Sequence, residues 1–251
     1  MKIDINCDLG ESFGNYKIGM DEQIMPYISS ANIACGFHAG DPLVMKNTIQ
    51  LAMKHHVGIG AHPGYPDLQG FGRRNLKMSY EELYTSVLYQ ISAIKGMTEA
   101  LGGKLNHVKP HGALYNQAAK YEEVGAAIID AVKTIDDQLI LFGLADSAFL
   151  KQAEKAGLKT AHEVFADRAY MDDGSLVSRS IEGAVIHDVD LVKDQALETV
   201  NSSVRSISGK RLNMRADTIC IHGDNPSAVH IAKSIYTYLN EKGVEIKKLN
   251  L

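Results

Sequence analysis

Short β-type runs alternate with helical patterns from one end of the sequence to the other. Strands that alternate with crossover helices pair in parallel, and about eight of them in a chain of 251 residues predict a (β/α) barrel. A doubly wound open sheet is the alternative. We expect one α/β domain over residues 1–251, a TIM-like barrel of seven or eight parallel strands. The β-type runs are residues 3–7, 32–36, 57–61, 105–109, 139–143, 160–165, 184–186 and 218–222.

Capping residues mark the starts of two of the intervening helices. The dipeptides Asp41-Pro42 and Asn225-Pro226 each place a helix-capping side chain before a proline at the first helical position. The patterns predict helices over residues 42–56, 79–101, 122–135, 146–156, 191–207 and 226–242.

The two faces of the strands differ in character, because side chains alternate between them. Asp4, Asn6 and Asp8 share one face of the first strand, and aliphatic residues and a cysteine take the other. His107 and Lys109 share a face of the fourth. The lumen of an ordinary barrel is packed with branched aliphatic side chains. Burying polar side chains there without hydrogen-bond partners would cost folding free energy. This pattern predicts a wet functional cavity that opens at the carboxyl-terminal ends of the strands.

Charge and hydropathy exclude several classes of protein. The net charge is −4, with 22% charged and 45% hydrophobic residues, which is unlike a disordered chain. No basic excess is present to neutralise phosphates, so a nucleic-acid partner is not expected. Asp4, Asp8 and Glu11 interrupt the amino-terminal region, which argues against a signal peptide, and no apolar run is long enough for a membrane span.

The three cysteines indicate a reducing compartment. Cys7, Cys35 and Cys220 are an odd number at long spacings, which is not a disulfide framework. We expect buried packing thiols in a cytoplasmic protein, rather than metal ligands.

Histidines and acidic residues stand at or near the carboxyl-terminal ends of the predicted strands. A lone histidine is more often structural, but His38 and His62 stand beside glycines at equivalent ends of adjacent strands, which favours a functional role. The remaining polar residues near strand ends include acids that, taken alone, are typical of turns, helix caps or surface ion pairs. They are Asp8, Glu11, His111, Glu163, Asp167, Arg168, His222 and Asp224.

Three cations are candidates for recognising an anion. Lys109 falls on the polar face of its strand, where a buried lysine needs a charged partner or an anionic ligand. Arg73 and Arg74 follow a glycine-rich loop. A solvated pair is one interpretation of them, and recognition of a carboxylate or phosphate is the other.

Several common motifs are absent from the sequence, namely GxxxxGK[ST], a GxGxxG after a strand, GxSxG and HExxH. The remaining His, Asp and Lys residues can supply a general base, a general acid and an oxyanion stabiliser. Asp8, His38, His62 and His222 can equally hold a divalent metal that activates water. The sequence leaves both chemistries open.

Six motifs stand in order along the chain, at residues 5–14, 30–42, 60–74, 108–116, 163–168 and 220–226. Together they resemble the LamB/YcsF family, the A subunits of bacterial 5-oxoprolinase. The chain departs from the family pattern at Met20, and at Ser178 and Glu182, where prolines are common.

The resemblance implies a barrel related to glycoside hydrolases and polysaccharide deacetylases. It also implies ATP-dependent opening of 5-oxo-L-proline (pyroglutamate) to L-glutamate, with ADP and phosphate as products. The family works with two partner subunits, B and C. We expect the ATP site to be shared with those partners or contributed by them.

The resemblance also suggests roles for the strand-end residues. Lys109, with Arg73 or Arg168, would recognise an anion, and Asp8 or Asp224 with His38 or His62 would activate water. His111 or His222 would protonate the ring nitrogen or stabilise an oxyanion. Further substrate-binding candidates are Asn6, Glu11, Arg74 and Glu163.

Two rival functions stay open at this point. One is a metal-dependent deacetylase or amidohydrolase that acts alone. The other is a non-catalytic subunit that presents 5-oxoproline to its partners.

Overall fold

The computed structural model describes residues 1–178, 181–221 and 228–250. Within these ranges, seven parallel strands close into one barrel, because the last of them, β9, pairs with both β6 and β1. The strands in chain order are β1 (Lys2–Leu9), β2 (Ser30–Ala34), β3 (Gly58–His62), β4 (Leu105–Val108), β5 (Ile140–Leu144), β6 (Lys159–Phe165), β7 (Ser203–Arg205), β8 (Arg211–Asn213), β9 (Thr218–Ile221) and β10 (Glu245–Ile246). The expected barrel is therefore confirmed, and the open sheet is excluded.

Helices cover the outside of the barrel, and one of the two predicted capping sites can be examined. Asp41 caps its helix by accepting from the backbone amides of Leu43 and Val44, at 2.8 and 2.9 Å. The start at Asn225-Pro226 lies outside the described residues. The helices are α1 (Asp21–Ile24), α2 (Pro42–Lys54), α3 (Tyr80–Ala100), α4 (Gly112–Ala118), α5 (Glu122–Ile135), α6 (Ala148–Lys155), α7 (Val189–Val200) and α8 (Ala228–Glu241).

Two local expectations were wrong, and one helix was missed. Residues 184–186 do not form a barrel strand but a loop with a single bridge between Val185 and Arg168. This loop folds over the end of β6, where the Arg168 side chain donates to the carbonyl oxygen of Ala184. Helix α7 ends at Val200 instead of continuing to residue 207, because β7 pairs with β8 there. Helix α4 was not predicted.

The lumen is polar, as the strand faces predicted, but its lower part is filled by side chains that bond to one another. Asn32 donates to Asn6 Oδ1 at 2.7 Å, and His107 Nε2 lies 2.8 Å from Asn32 Oδ1. Asp4 accepts from the hydroxyls of Ser29 and Ser30, at 2.6 and 2.7 Å. The polar groups near the base of the barrel are thus satisfied internally, and the cavity is confined to its mouth.

A glycine makes room for this packing. A Cβ atom on Gly60 would lie 2.0 Å from His107 Nε2. Only a residue without a side chain on β3 lets the imidazole of His107 lie across the lumen, where it stacks on Phe142 with ring centroids 4.2 Å apart.

In the described part of the chain, every helix is too short or too polar to cross a membrane.

Candidate active site

A cavity of about 550 Å³ lies at the carboxyl-terminal mouth of the barrel. Its walls come from the ends of several strands and from the loops that follow them, which is where barrel enzymes place their chemistry. Six of the residues singled out from the sequence line it, namely Asp8, His62, Arg73, Lys109, His111 and Arg168.

Lys109 lies at the base of this cavity, directly after β4, and only 3% of it is exposed. Its Nζ lies 3.0 Å from Asp8 Oδ1 and 2.8 Å from Glu163 Oε1. Burial alone would lower the pKa of Lys109, but Asp8, Cys220 and Glu163 raise it well above its ordinary value. Lys109 is therefore a fixed cation with two carboxylate partners, and it cannot act as a base.

Asp8 is the carboxylate that reaches from this pair into the cavity. Asn32 donates to Asp8 Oδ1 at 2.8 Å, and Oδ2 lies 3.3 Å from His62 Nε2. Burial opposes ionisation, but His62 and Lys109 hold the pKa of Asp8 well below its ordinary value. The carboxylate is thus charged and held in place by three neighbours.

Three histidines lie side by side above Asp8. His62 is the last residue of β3, His38 follows β2, and His111 immediately precedes α4. The rings of His38 and His111 are stacked, with centroids 3.7 Å apart and planes 6° apart. Burial holds the pKa of His38 well below its ordinary value and lowers that of His111 to about 3. Both imidazoles are neutral at physiological pH.

The loop of residues 70–74 closes over the histidines. The carbonyl oxygen of Phe71 lies 2.8 Å from His111 Nε2. Gly72 has φ +62°, and a Cβ atom there would lie 2.7 Å from both His38 and His111. The glycine-rich sequence is therefore needed for close approach to the histidines.

Glu11 completes a group of four side chains that could hold a metal ion. Its Oε1 lies 3.4 Å from His38 Nε2 and 3.8 Å from His111 Nδ1. One potential ligand atom from each of Glu11, His38, His62 and His111 lies within 4.8 Å of the other three. The metal set predicted from the sequence contained His38 and His62 but did not include Glu11 or His111.

The predicted site residues fall into four groups, one of which, Arg73 and Arg168, lines the cavity as described above. Asn6, which lies 3.2 Å from Lys109 Nζ, joins the cluster around the cavity, whereas His222 and Asp224 lie outside the described residues. Arg74 pairs with Asp67, and its side chain is 61% exposed. These placements do not test the roles, which stay predictions. The clustered residues are Asn6, Asp8, Glu11, His38, His62, Lys109, His111 and Glu163.

Arg168 has a structural task in addition to lining the cavity. It donates to the carbonyl oxygens of Val177 at 2.7 Å and Ala184 at 3.2 Å. Both acceptors belong to the segment after β6 that includes the loop mistaken for a strand.

Sequence reasoning missed two residues of the site. Tyr115 lines the cavity from α4, where burial and the nearby Glu163 raise its pKa well above its ordinary value. Cys220, taken for a packing residue, has its Sγ 3.1 Å from Lys109 Nζ. The strand alternation carried the signal for Cys220, which shares the polar face of its strand with Thr218.

Comparisons of the sequence with family models and with known proteins agree on one family. The LamB/YcsF family matches residues 3–251. A relative from Pyrococcus abyssi, named as the A subunit of 5-oxoprolinase, is 52% identical over 250 residues, covering 99% of this chain and 98% of the relative.

Solved structures agree with this result. The crystal structure of the lactam utilization protein from Thermus thermophilus has a TM-score of 0.95 and 44% identity, covering 99% of this chain and 100% of that one. A family 4 carbohydrate esterase from Streptomyces lividans has a TM-score of 0.50 at 11% identity, covering 99% of this chain and 93% of that one, and shows a shared fold alone.

Proposed function

Because the chain belongs to the LamB/YcsF family, we propose that it is the A subunit of a 5-oxoprolinase and contributes catalytic groups to that enzyme. The reaction is the opening of 5-oxo-L-proline to L-glutamate, driven by the hydrolysis of ATP to ADP and phosphate. The observation that carries the catalytic part is the cluster of Lys109, Asp8 and His62 on the wall of a cavity of about 550 Å³.

The chemistry explains why ATP is needed. A five-membered lactam is an unstrained, resonance-stabilised amide, and its carbonyl carbon is a poor electrophile. Transfer of the γ-phosphoryl group to the lactam oxygen releases ADP and gives an activated imidate-like ester. Water adds to its carbon, and the C–N bond breaks as the ring nitrogen takes a proton. A second water hydrolyses the resulting acyl phosphate to glutamate and phosphate.

Asp8 and His62 are suited to activating water. Lys109 keeps Asp8 ionised, and the Lys109 carbonyl oxygen fixes the ring of His62 through a hydrogen bond of 2.7 Å to Nδ1. Asp8 Oδ2, which lies 3.3 Å from His62 Nε2, then takes the proton of the attacking water and passes it to the ring nitrogen as the C–N bond breaks.

Arg73 is suited to binding the carboxylate of the substrate. It lines the cavity, and its guanidinium carbon lies 5.0 Å from the centroid of the Phe71 ring. Lys109 is already neutralised by Asp8 and Glu163, so its task is to position Asp8 rather than to bind a further anion. We assign ATP binding to a surface shared with the B and C subunits, because the chain has no phosphate-binding loop of the GxxxxGK[ST] type.

The test is glutamate release from 5-oxoproline and ATP, with this chain alone and with candidate B and C subunits. Asp8→Asn keeps the shape of the side chain and removes its charge, and we expect turnover to fall by about 10²- to 10⁴-fold. Lys193→Ala, which removes a surface ion pair with Asp190, is the control and should keep full turnover. Full activity of Asp8→Asn would refute the catalytic assignment.

The same assay separates the two rivals. If the chain only presents substrate, cavity variants will raise KM and leave kcat unchanged. The second rival, hydrolysis of an amide or ester by this chain alone, is favoured by the Glu11 and histidine group. It predicts turnover without ATP and without partner subunits.

A further inference from the structure

The histidines of the cavity wall are oriented by backbone carbonyl groups. His62 Nδ1 lies 2.7 Å from the carbonyl oxygen of Lys109, and His111 Nε2 lies 2.8 Å from that of Phe71. A carbonyl oxygen only accepts hydrogen bonds, so each of these nitrogens carries the proton of its ring. The lone pairs therefore belong to the opposite nitrogens, His62 Nε2 and His111 Nδ1.

Those two lone pairs point at each other. His62 Nε2 and His111 Nδ1 are 3.0 Å apart, a distance at which two unprotonated nitrogens repel. Asp8 Oδ2 lies 3.3 Å from His62 Nε2, and Glu11 Oε1 lies 3.8 Å from His111 Nδ1, so two carboxylates add further electron pairs. Such an arrangement is stable only around a positive charge.

His38 provides a second, independent observation. Its side chain is fully buried, and among the described residues neither ring nitrogen has a hydrogen-bond partner. A buried polar group without a partner destabilises the folded state, because it has lost its hydrogen bonds to water. Stacking on His111 holds the ring so that Nε2 lies 3.4 Å from Glu11 Oε1.

We propose that Glu11, His38, His62 and His111 bind one divalent transition-metal ion of the zinc type. Tetrahedral ligands about 2.0–2.1 Å from zinc lie about 3.3 Å from one another, and the pairs here are 3.0, 3.4 and 3.8 Å apart. Three imidazole nitrogens and one carboxylate oxygen suit zinc, iron, cobalt or manganese better than magnesium or calcium. The carbonyl groups of Lys109 and Phe71 orient the ligands, as outer hydrogen bonds do in metal sites.

This site stands apart from the proposed function, since neither ATP nor 5-oxoproline enters the argument. A metal ion here would border the cavity through His62 and His111, where it would polarise a bound carbonyl group or water. Metal binding and lactam turnover can therefore succeed or fail separately.

The experiment measures metal content and binding on the full chain, without substrate or partners. Protein purified without chelators is analysed by elemental mass spectrometry, and chelator-treated protein is titrated with Zn²⁺ and Co²⁺ by calorimetry. We expect about one ion per chain, a rise in Tm on binding, and intense visible absorption from tetrahedral Co²⁺.

The variants test the ligand set. Glu11→Gln keeps the volume of the side chain, and His38→Ala removes the orphaned ring. We expect each to weaken Zn²⁺ binding at least 100-fold. His230→Ala, which removes an exposed histidine of α8, is the control and should bind as the parent does. Circular dichroism shows whether each variant folds. If His38→Ala does not fold, the binding measured with Glu11→Gln decides the test.

Two results would overturn the proposal. One is a folded parent chain that retains no metal and shows no saturable binding of Zn²⁺, Co²⁺ or Mn²⁺. The other is binding by Glu11→Gln and His38→Ala that equals binding by the His230→Ala control.

Discussion

Single side chains set the charge of the lumen, and Lys109 and Asp4 do so in opposite ways. Lys109 stays charged although it is buried at the base of the cavity, because Asp8 and Glu163 lie within 3.0 Å of its Nζ. Asp4 lies deeper, and three hydroxyl groups surround it rather than a cation. Burial raises its pKa to about 6, although those hydroxyl groups and their hydrogen bonds oppose the rise.

The raised pKa of Asp4 predicts a pH-dependent stability. The native state binds this proton more tightly than the unfolded chain, whose ordinary pKa is 3.8. The contribution is therefore fully present below pH 3.8 and is lost as the pH rises through about 6. Relative to Asp4→Asn, which does not titrate, the parent should lose up to about 3 kcal/mol of unfolding free energy between pH 4 and pH 7.

Urea unfolding at several pH values measures this difference. Taking the difference between their unfolding free energies removes the contribution of every group that titrates alike in both proteins. If the unfolding free energies of the parent and Asp4→Asn run parallel from pH 4 to pH 7, Asp4 does not titrate as described.

At the level of elements, glycine in β3 decides how closely that strand approaches the lumen. Gly60→Ala would place a methyl group 2.0 Å from His107 Nε2, which is packed against Phe142. Overpacking of a filled core costs about 1–3 kcal/mol, and the loss of the His107 bond to Asn32 adds to it. We expect a clear fall in Tm.

Gly96→Ala is the matched control, because it makes the same change in a different environment. Gly96 lies inside α3, and beyond the adjacent backbone of its own helix no atom lies within 4 Å of an added Cβ atom. Alanine is favoured over glycine inside a helix by about 0.5–1 kcal/mol, so this variant should be slightly more stable than the parent. Equal Tm values for the two variants would show that the lumen accommodates a side chain at position 60.

The elements that could be predicted from the sequence are those with strong periodicity. Alternating faces located the strands and the polar lumen, and the Asp41 cap located the start of α2. Helix α4 has only 7 residues and was missed, because so short a segment has little periodicity of its own. Residues 184–186 have the composition of a strand, but hydrogen bonds to Arg168 and Asp167 hold them as a loop.

The site was predictable only in part. The strand ends identified most of the residues around the cavity, since parallel strands bring their carboxyl ends together. Which nitrogen of His62 or His111 faces its neighbour depends on carbonyl groups at positions 109 and 71, far away in the sequence. Such contacts leave no trace in a motif.

At the scale of the whole molecule, the two ends of the barrel have different tasks. The mouth holds the charged cavity, whereas the opposite end is closed by the last described residues. Strand β10 pairs with the start of β1, and the carbonyl oxygen of Leu249 accepts from Asn106 at 3.1 Å. The Leu249 side chain packs against a small apolar cluster of Ile140, Phe142 and Ala161 inside the barrel.

This division predicts the effect of removing residues 248–251. Truncation would expose Phe142 and its neighbours and leave Asn106 without its carbonyl partner, so we expect a loss of about 1–3 kcal/mol of unfolding free energy. Below the lowered Tm, the mouth should keep its geometry, and Zn²⁺ affinity should stay within about twofold of the parent.

Thermal unfolding and calorimetry on the same preparation test both halves of this prediction. Leu249→Ala is the smaller change, because it keeps the backbone bond to Asn106 and removes only the apolar contact. It should therefore show part of the loss in stability. A truncated chain as stable as the parent would mean that this segment does not close the barrel. A loss of metal affinity in a chain that remains folded would mean that the two ends are coupled through the hydrogen bonds that run from Asn106 to His107, Asn32 and Asp8.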